Sequence, residues 1–353
     1  MMMPDTKPNP IQLSIVIPAP TDTAALEETL VSVLENRPDN SEIVVVLGCE
    51  YGDPWNIREE VRFIKSPAGS SLVGCINLGI SSSRGAVIHV LASGWRATPH
   101  WTEAPLRQLA STNNVGAVIP LGVSPNDQQR VVSAGIRYGR GGRRVVLPAT
   151  GPVNVASFSL PATASALLAP VAPTLEAGFW RADVLQLVGP AFSAACGDSA
   201  ADADIAVSLA CSGFSVVVES ASRVVAPRPS QPRGDAFTAG VHAERLFWRS
   251  IAATPVLWSL VLHVLEIVRH AIARAPLGTL PMLAGRAIAL LQFGAYVPRY
   301  RQLRVLRQQA AMAEQPDAEP DAERTLRLDH PHNPVGHSKL QAPAAPALLR
   351  RSA

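Results

Sequence analysis

Three aspartates, Asp198, Asp202 and Asp204, crowd the start of a segment that continues as an Ala- and Val-rich run. Carboxylates in such a place have two uses. They accept hydrogen bonds from the unpaired N–H groups of a helix N-terminus, where the dipole also favours negative charge, or one of them takes the proton from an attacking hydroxyl. With Ser199 beside them, capping alone accounts for the group. A second concentration of charge is VVSAGIRYGRGGRR (Val131–Arg144), which carries Arg137, Arg140, Arg143 and Arg144. Its pattern fits a hairpin turning at Gly139–Gly142, with guanidiniums that either face solvent or pair with phosphate. Other chemistries lack their residues. Cys49, Cys75, Cys196 and Cys211 have neither metal-knuckle nor redox-pair spacing and read as buried or inert thiols. His330, His332 and His337 are isolated histidines in a polar tail. There is no Gly-x-Gly-x-x-Gly after the first strand, no Gly-Lys-Ser/Thr loop and no Gly-x-Ser-x-Gly elbow.

The chain that must position these groups has 353 residues, 47% of them apolar and 17% charged, enough for one large α/β domain and an appendage. A net charge of +3 is too small to argue for nucleic acid. A mean hydropathy of +0.16 is high for a protein surrounded by water and points to a membrane or interface contact. The N-terminus lacks a basic flank followed by an apolar run, so no secretory signal is expected. No uninterrupted apolar run reaches the roughly 18 residues of a clean membrane span. Residues 1–10 are expected to be a disordered leader.

Leu13–Pro18, Glu42–Leu47 and Val61–Ile64 read as strands buried on both faces. A helix capped by Asp22 or Thr23 follows the first, with Leu26, Leu30, Val33 and Leu34 on its apolar side. A helix at Leu72–Ser82 and a strand at Ala86–Leu91 come next. Strands alternating with helices predict a largely parallel sheet with right-handed crossovers. A helix starting after Asp198–Asp204 ends at Gly213-Phe214, and the strand Ser215–Glu219 closes the domain.

The stretch Asn77–Trp95, NLGISSSRGAVIHVLASGW, leads through Arg84-Gly85 and that strand to a turn at Ala92-Ser93-Gly94. Together with Ile15–Pro18, Glu42–Leu47, Pro99-His100-Trp101, Gly178–Arg181 and Val188–Phe192, it resembles the family 2 glycosyltransferases over roughly Leu13 to Val225. The resemblance implies a GT-A fold: α/β, a Rossmann-like and mainly parallel sheet flanked by helices, here with a C-terminal helical appendage. It implies transfer of a sugar from a nucleotide-sugar donor to a cell-surface glycan or lipid-linked acceptor. Donor contacts map to Pro18, Glu50, Asp53, Asn77, Gly79, Arg84, Ala92 and Gly94. Asp202 matches the family's general base, with Asp204 as the alternative. The family's central strand ends in Asp-x-Asp, which holds Mg²⁺ or Mn²⁺ and the diphosphate. Here Ala92-Ser93-Gly94 stands in that place. Leu47-Gly48 replaces the Asp pair that contacts the nucleoside, Ala19-Pro20-Thr21 the first turn, and Ala201 the Glu before Asp202. No metal ligand is assigned. Mg²⁺ or Mn²⁺ would need Glu50, Asp53, Glu176, Asp202 or Asp204 in the cleft, and Arg84 or the arginines of 137–144 could supply the metal's charge instead. One reading is a transferase working without the usual metal motif. The other is a non-catalytic relative, a binding or scaffold subunit in glycan synthesis.

The GT-A domain is expected over residues 11–226, a linker over 227–235, helices over 236–309 and a disordered tail over 310–353. From Thr254-Pro255 to Arg274 the polar residues Ser259, His263, Glu266, His270 and Arg274 form one stripe on an otherwise apolar helix, which suits burial in protein or an interfacial position. A second apolar helix is expected at Pro281–Val297. Residues 243–309 carry nine arginines and two acids, a pattern for anionic headgroups. The expected location is cytoplasmic, peripheral at the inner face of the membrane.

Overall fold

The computed structural model describes residues 12–158, 169–189, 191–228 and 235–314. The expected leader, most of the expected linker and residues 315–353 with their three histidines lie outside the described residues.

Four apolar, β-branched runs form β1 (Leu13–Ala19), β2 (Ser41–Leu47), β3 (Val61–Lys65) and β4 (Val87–Leu91). They pair in parallel in the order β3-β2-β1-β4, with Ile15 of β1 between Ile43 and His89. The crossovers are α1 (Thr23–Glu35) and α2 (Leu72–Ser82), capped by Asp22 and Ser71. Successive β1 residues serve opposite faces. Ile15 and Ile17 pack with Leu26, Leu30 and Val33 of α1, and Val16 packs with Val73 and Ile76 of α2. Burial on both faces is why these strands read as unbroken apolar runs. Gly79 of α2 is where that helix meets the sheet: a Cβ added there would lie 2.3 Å from Val16 Cγ1.

The chain continues through β5 (Arg96–Ala97), α3 (Glu103–Ser111), β6 (Val115–Ser124), β7 (Asp127–Ser133), β8 (Ile136–Gly139), β9 (Arg143–Val146), β10 (Val153–Asn154), β11 (Val171–Ala172) and β12 (Ala177–Arg181). Next come α4 (Ala182–Leu187), α5 (Gly197–Cys211) and β13 (Ser215–Val225). β12 inserts antiparallel between β4 and β6, and β7, β10 and β13 extend the sheet around β6. A separate three-stranded sheet, β11-β8-β9, lies against α5. The expected hairpin at Val131–Arg144 is thus divided. Its first residues stay in the main sheet as β7, and the hairpin proper is β8–β9, turning where Gly142 takes φ +87°. The expected strand at Ser215–Glu219 runs on through an irregularity to Val225.

Four helices follow: α6 (Ala236–Ser250), α7 (Val256–Ala273), α8 (Thr279–Leu291) and α9 (Val297–Glu314). Pro255 is the cap residue of α7 rather than its first turn. The single helix expected at Pro281–Val297 breaks at a 3₁₀ turn, Phe293–Tyr296, because α9 leaves at a 68° bend. α9 then carries helix to Glu314, into the stretch expected to lack structure.

His89, at the middle of β4, has no exposed surface and stacks on Phe179 at 3.8 Å between ring centroids. Burial lowers its pKa from 6.5 to about 3. The unfolded chain therefore takes up a proton at His89 below pH 6.5 that the folded chain refuses. The stability that neutral His89 permits is complete above pH 6.5 and falls by up to about 1.4 kcal/mol per pH unit on acidification. His89→Leu is expected to flatten this acid limb in urea denaturation measured against pH. An unchanged slope between wild type and variant would refute the assignment.

Candidate functional site

β1, β2 and β4 end side by side. The turn after β4 is tied down at every residue. Ala92 N donates to Glu176 O at 2.8 Å, Ser93 N and Oγ both donate to Pro18 O at 3.3 and 2.8 Å, and Gly94 N donates to Ala25 O and Thr29 Oγ1 at 2.9 and 2.8 Å. β2 joins them through Gly48 N, which donates to Ala19 O at 3.0 Å. Pro18, Ala92 and Gly94 are therefore neighbours, and exposed Glu50 leads out of the adjacent strand.

Four other expected donor residues are used elsewhere. Asp53, with φ +47°, shapes its own loop by accepting from Ile57 N and Arg58 Nε. Asn77 pins a distant segment to α2, donating to Phe192 O at 2.8 Å and accepting from Phe192 N at 3.0 Å. Gly79 is the α2–β1 contact described above. Arg84 lies at the opposite end of β4, where its backbone N donates to Glu42 Oε1 and Ser14 Oγ accepts from Gly85 N. A five-residue strand places that end about 17 Å from the turn.

The turn does not fit a divalent cation. Ala92 and Gly94 offer no side-chain oxygen, and the proton of the Ser93 hydroxyl is directed at Pro18 O. Among the described residues no group of three His, Cys, Asp or Glu side chains is placed to hold a metal. Mg²⁺ and Mn²⁺ need several oxygen ligands, carboxylates above all.

Charge beside this turn comes instead from a cluster built by three elements. β12 runs antiparallel to β4 with Ala177 opposite Leu91, so Glu176 falls beside Ala92. Arg144 lies on β9 opposite Tyr138, on the face of the hairpin that turns inward, while Arg143 faces solvent. Its guanidinium grips Asp202 of α5 in a fork, Nε to Oδ1 at 2.7 Å and Nη2 to Oδ2 at 2.6 Å. Burial, opposed by Arg144 and reinforced by Asp202, raises the pKa of Glu176. A carboxylate with a raised pKa holds a proton more readily than one in water. The sequence holds four arginines in this stretch, and only the two-residue period of β9 selects Arg144.

None of the polar residues at the start of α5 caps it. Asp198 accepts from Leu72 N and Val73 N at the start of α2, 3.1 and 2.9 Å away. Ser199 Oγ lies 2.9 Å from His242 Nδ1 of α6. Asp202 has no exposed surface and both its oxygens are on Arg144, so it orients that guanidinium rather than reaching an acceptor hydroxyl. Asp204 is clamped by Arg249 of α6 at 2.9 and 3.1 Å and by Arg299 of α9 at 3.1 Å. Burial pushes its carboxyl up, but Arg299 and Arg249 outweigh this and hold it below the usual carboxylate range.

No protein-family model and no curated protein matches the sequence. Solved structures do match. The chain aligns with a crystal structure of GalNAc-T7 with UDP, GalNAc and Mn²⁺ at TM-score 0.53 and 13% identity, over 87% of this chain and 57% of that one. It aligns with S. aureus TarS 1-349 at TM-score 0.52 and 11% identity, over 86% of this chain and 92% of that one. The chain thus spans a little over half of the first of these. The fold is that of the GT-A type glycosyltransferases: a largely parallel central sheet flanked by helices, with a helical C-terminal part.

Asp204→Ala would leave two arginine side chains buried without a carboxylate. The expected cost is about 3–5 kcal/mol, read from the urea midpoint at constant slope. A loss below about 1 kcal/mol would show that the clamp does not hold the helices to α5.

Proposed function

We propose that the protein is a family 2-like glycosyltransferase that moves a sugar from a nucleotide-sugar donor to a cell-surface glycan or lipid-linked acceptor, with Arg144 in the place of a metal ion. The observation that carries this reading is the Arg144–Asp202–Glu176 cluster beside Ala92 at the ends of β1 and β4. In open α/β sheets, ligands sit at such strand ends. When an acceptor oxygen attacks the sugar's anomeric carbon, the bond from that carbon to the diphosphate breaks and its electrons leave on the diphosphate. A guanidinium pairs with phosphate in a two-pronged fork and supplies charge where no cation ligands exist. Asp202 holds Arg144 extended for that contact. Glu176 takes the proton from the acceptor hydroxyl.

A second reading is favoured by the closed turn, in which Ser93 is spent on Pro18 O and the fully buried Asp202 cannot contact substrate. In that reading the protein is a non-catalytic scaffold or binding subunit in glycan synthesis, on a fold that outlived its chemistry.

Calorimetric titration with UDP, GDP and dTDP sugars separates the two. Transfer through Arg144 predicts binding that does not depend on Mn²⁺ and that weakens by about tenfold or more in Arg144→Ala, a loss of about 1.4 kcal/mol. Glu176→Gln is expected to keep donor binding while abolishing turnover. Absence of binding by every donor would leave the scaffold reading.

A further inference from the structure

α7 is built inside out. Its polar residues recur every three or four positions and so share one side of the helix. That side faces the protein: Ser259 is 0% exposed and His263 4%, whereas Leu257 is 82% exposed, Leu265 60% and Ile272 72%. At about 100° per residue the three apolar positions lie opposite the polar stripe. α8 repeats the arrangement. Met282, Gly285, Arg286 and Ala289 are buried, while Leu280 is 77% exposed, Leu291 86% and Leu277, in the connection between the helices, 90%.

The rotation of both helices is held by a buried polar hub. Glu244 of α6 accepts from Arg286 Nη1 at 2.7 Å and from Trp248 Nε1 at 2.7 Å, and its two oxygens each lie 3.1 Å from His263 Nε2. His263 Nδ1 lies 2.8 Å from Gly141 O, and its ring stacks on Phe247 at 3.6 Å. Backbones meet at glycines: a Cβ added to Gly240 of α6 would lie 2.1 Å from Met282 O. Turning either helix to hide its leucines would strand charged groups that are now paired.

Exposed aliphatic side chains along two helices that pack together mark a docking surface. Its surroundings say for what. Of the nine arginines between residues 243 and 309, Arg249, Arg299, Arg286 and Arg269 are paired with carboxylates. Of the other five, Arg245 donates to Ala195 O and Gln292 Oε1 and Arg307 to Ala252 O and Ala253 O, while Arg274, Arg301 and Arg304 have no carboxylate partner among the described residues. A second copy would set one arginine-rich segment against another. Anionic headgroups complement this charge, and acyl chains ask for no hydrogen bonds from leucine and isoleucine.

We infer that α7 and α8 lie in the plane of an anionic lipid leaflet, with their outward leucines, Ile272 and Trp258 among the acyl chains. α7 does not cross the bilayer. Its 18 residues would reach about 27 Å, but its midpoint rests on the β8–β9 turn, where a Cβ on Gly141 would lie 2.7 Å from Leu262 O. A crossing would drag that turn, with Arg140 and Arg143, to the centre of the hydrocarbon. The same contact sets the site against the membrane, because Arg144 follows Gly141 on the hairpin that touches α7. The acceptor class this geometry reaches is a lipid-linked one; that clause alone rests on the transferase reading.

The full chain is tested against vesicles of phosphatidylcholine alone and of phosphatidylcholine mixed with phosphatidylglycerol. Co-sedimentation with the mixed vesicles is expected, weakened by salt, with brominated acyl chains quenching emission that Trp258→Phe removes. The triple substitution Leu257→Asp, Leu265→Asp and Ile272→Asp changes side chains already in water. It should cut vesicle binding by more than about tenfold while leaving the helical circular dichroism and the donor titration unchanged. Failure of the wild type to sediment with either vesicle, or wild-type binding by the triple variant, would overturn the inference. So would a dimer that the triple variant dissolves without any vesicle binding. Vesicle binding with no donor binding supports the docking and removes only the acceptor clause. Donor binding without vesicle binding overturns the docking, and the acceptor clause with it, and leaves the transferase reading standing.

Discussion

One carboxylate, Asp204, holds two arginines that reach it from helices far along the chain, Arg249 on α6 and Arg299 on α9. Arg299 also donates to Asp204 O and to Ser208 Oγ, so the contact grips the helix backbone as well as its side chain. Buried charge of this kind is costly unless every partner is in place, which makes the arrangement all-or-none. With α6 and α9 fixed on α5, α8 follows through its glycine contacts with α6, and α7 follows through Glu244. The outward apolar face of α7 and α8 is a consequence of this chain of contacts. Aliphatic packing alone would have turned α7 over.

Two residues earlier, Asp202 points to the other side of the same helix, as positions separated by about 200° must. There it meets Arg144. α5 is thus a strut between the hairpin that carries the cluster and the helices that carry the apolar face. Nearly all of its residues are buried, which explains why its sequence shows small side chains in place of an apolar stripe. The hairpin in turn touches α7 at Gly141. Site and surface are therefore joined by two routes, one through α5 and one through the hairpin.

The parallel strands were legible because burial on both faces leaves a local mark, a short β-branched run between turn residues. β1 to β4 fall within a residue or so of where those runs lie. α1 was legible from its apolar spacing and from Asp22 or Thr23 at its start, and α2 from the run Leu72–Ser82, while its cap, Ser71, came from the structure. The antiparallel insertion of β12 left no such mark, since AGFWR reads alike in either direction. The division of Val131–Arg144 between two sheets was hidden for the same reason. The ends of the strands were partly legible: Pro18, Ala92 and Gly94 come together, while Asn77, Gly79 and Arg84 hold the frame that brings the strand there.

By itself the sequence determined the parallel strands β1 to β4 with the helices between them, the missing carboxylates at Ala92-Ser93-Gly94 and the stripe along α7, because each depends on neighbours within a few residues. Only the tertiary structure decided which charges meet. Asp198 reads as a cap for its own helix and caps α2, 126 residues earlier in the chain. Arg144 is one of four arginines until the pleat of β9 turns it toward Asp202. The α7 stripe has a definite spacing in sequence, but which side of the helix meets water depends on Glu244 and Gly141, which come from other elements. Periodicity defines faces. The direction a face takes is set by the partners that long-range folding brings to it.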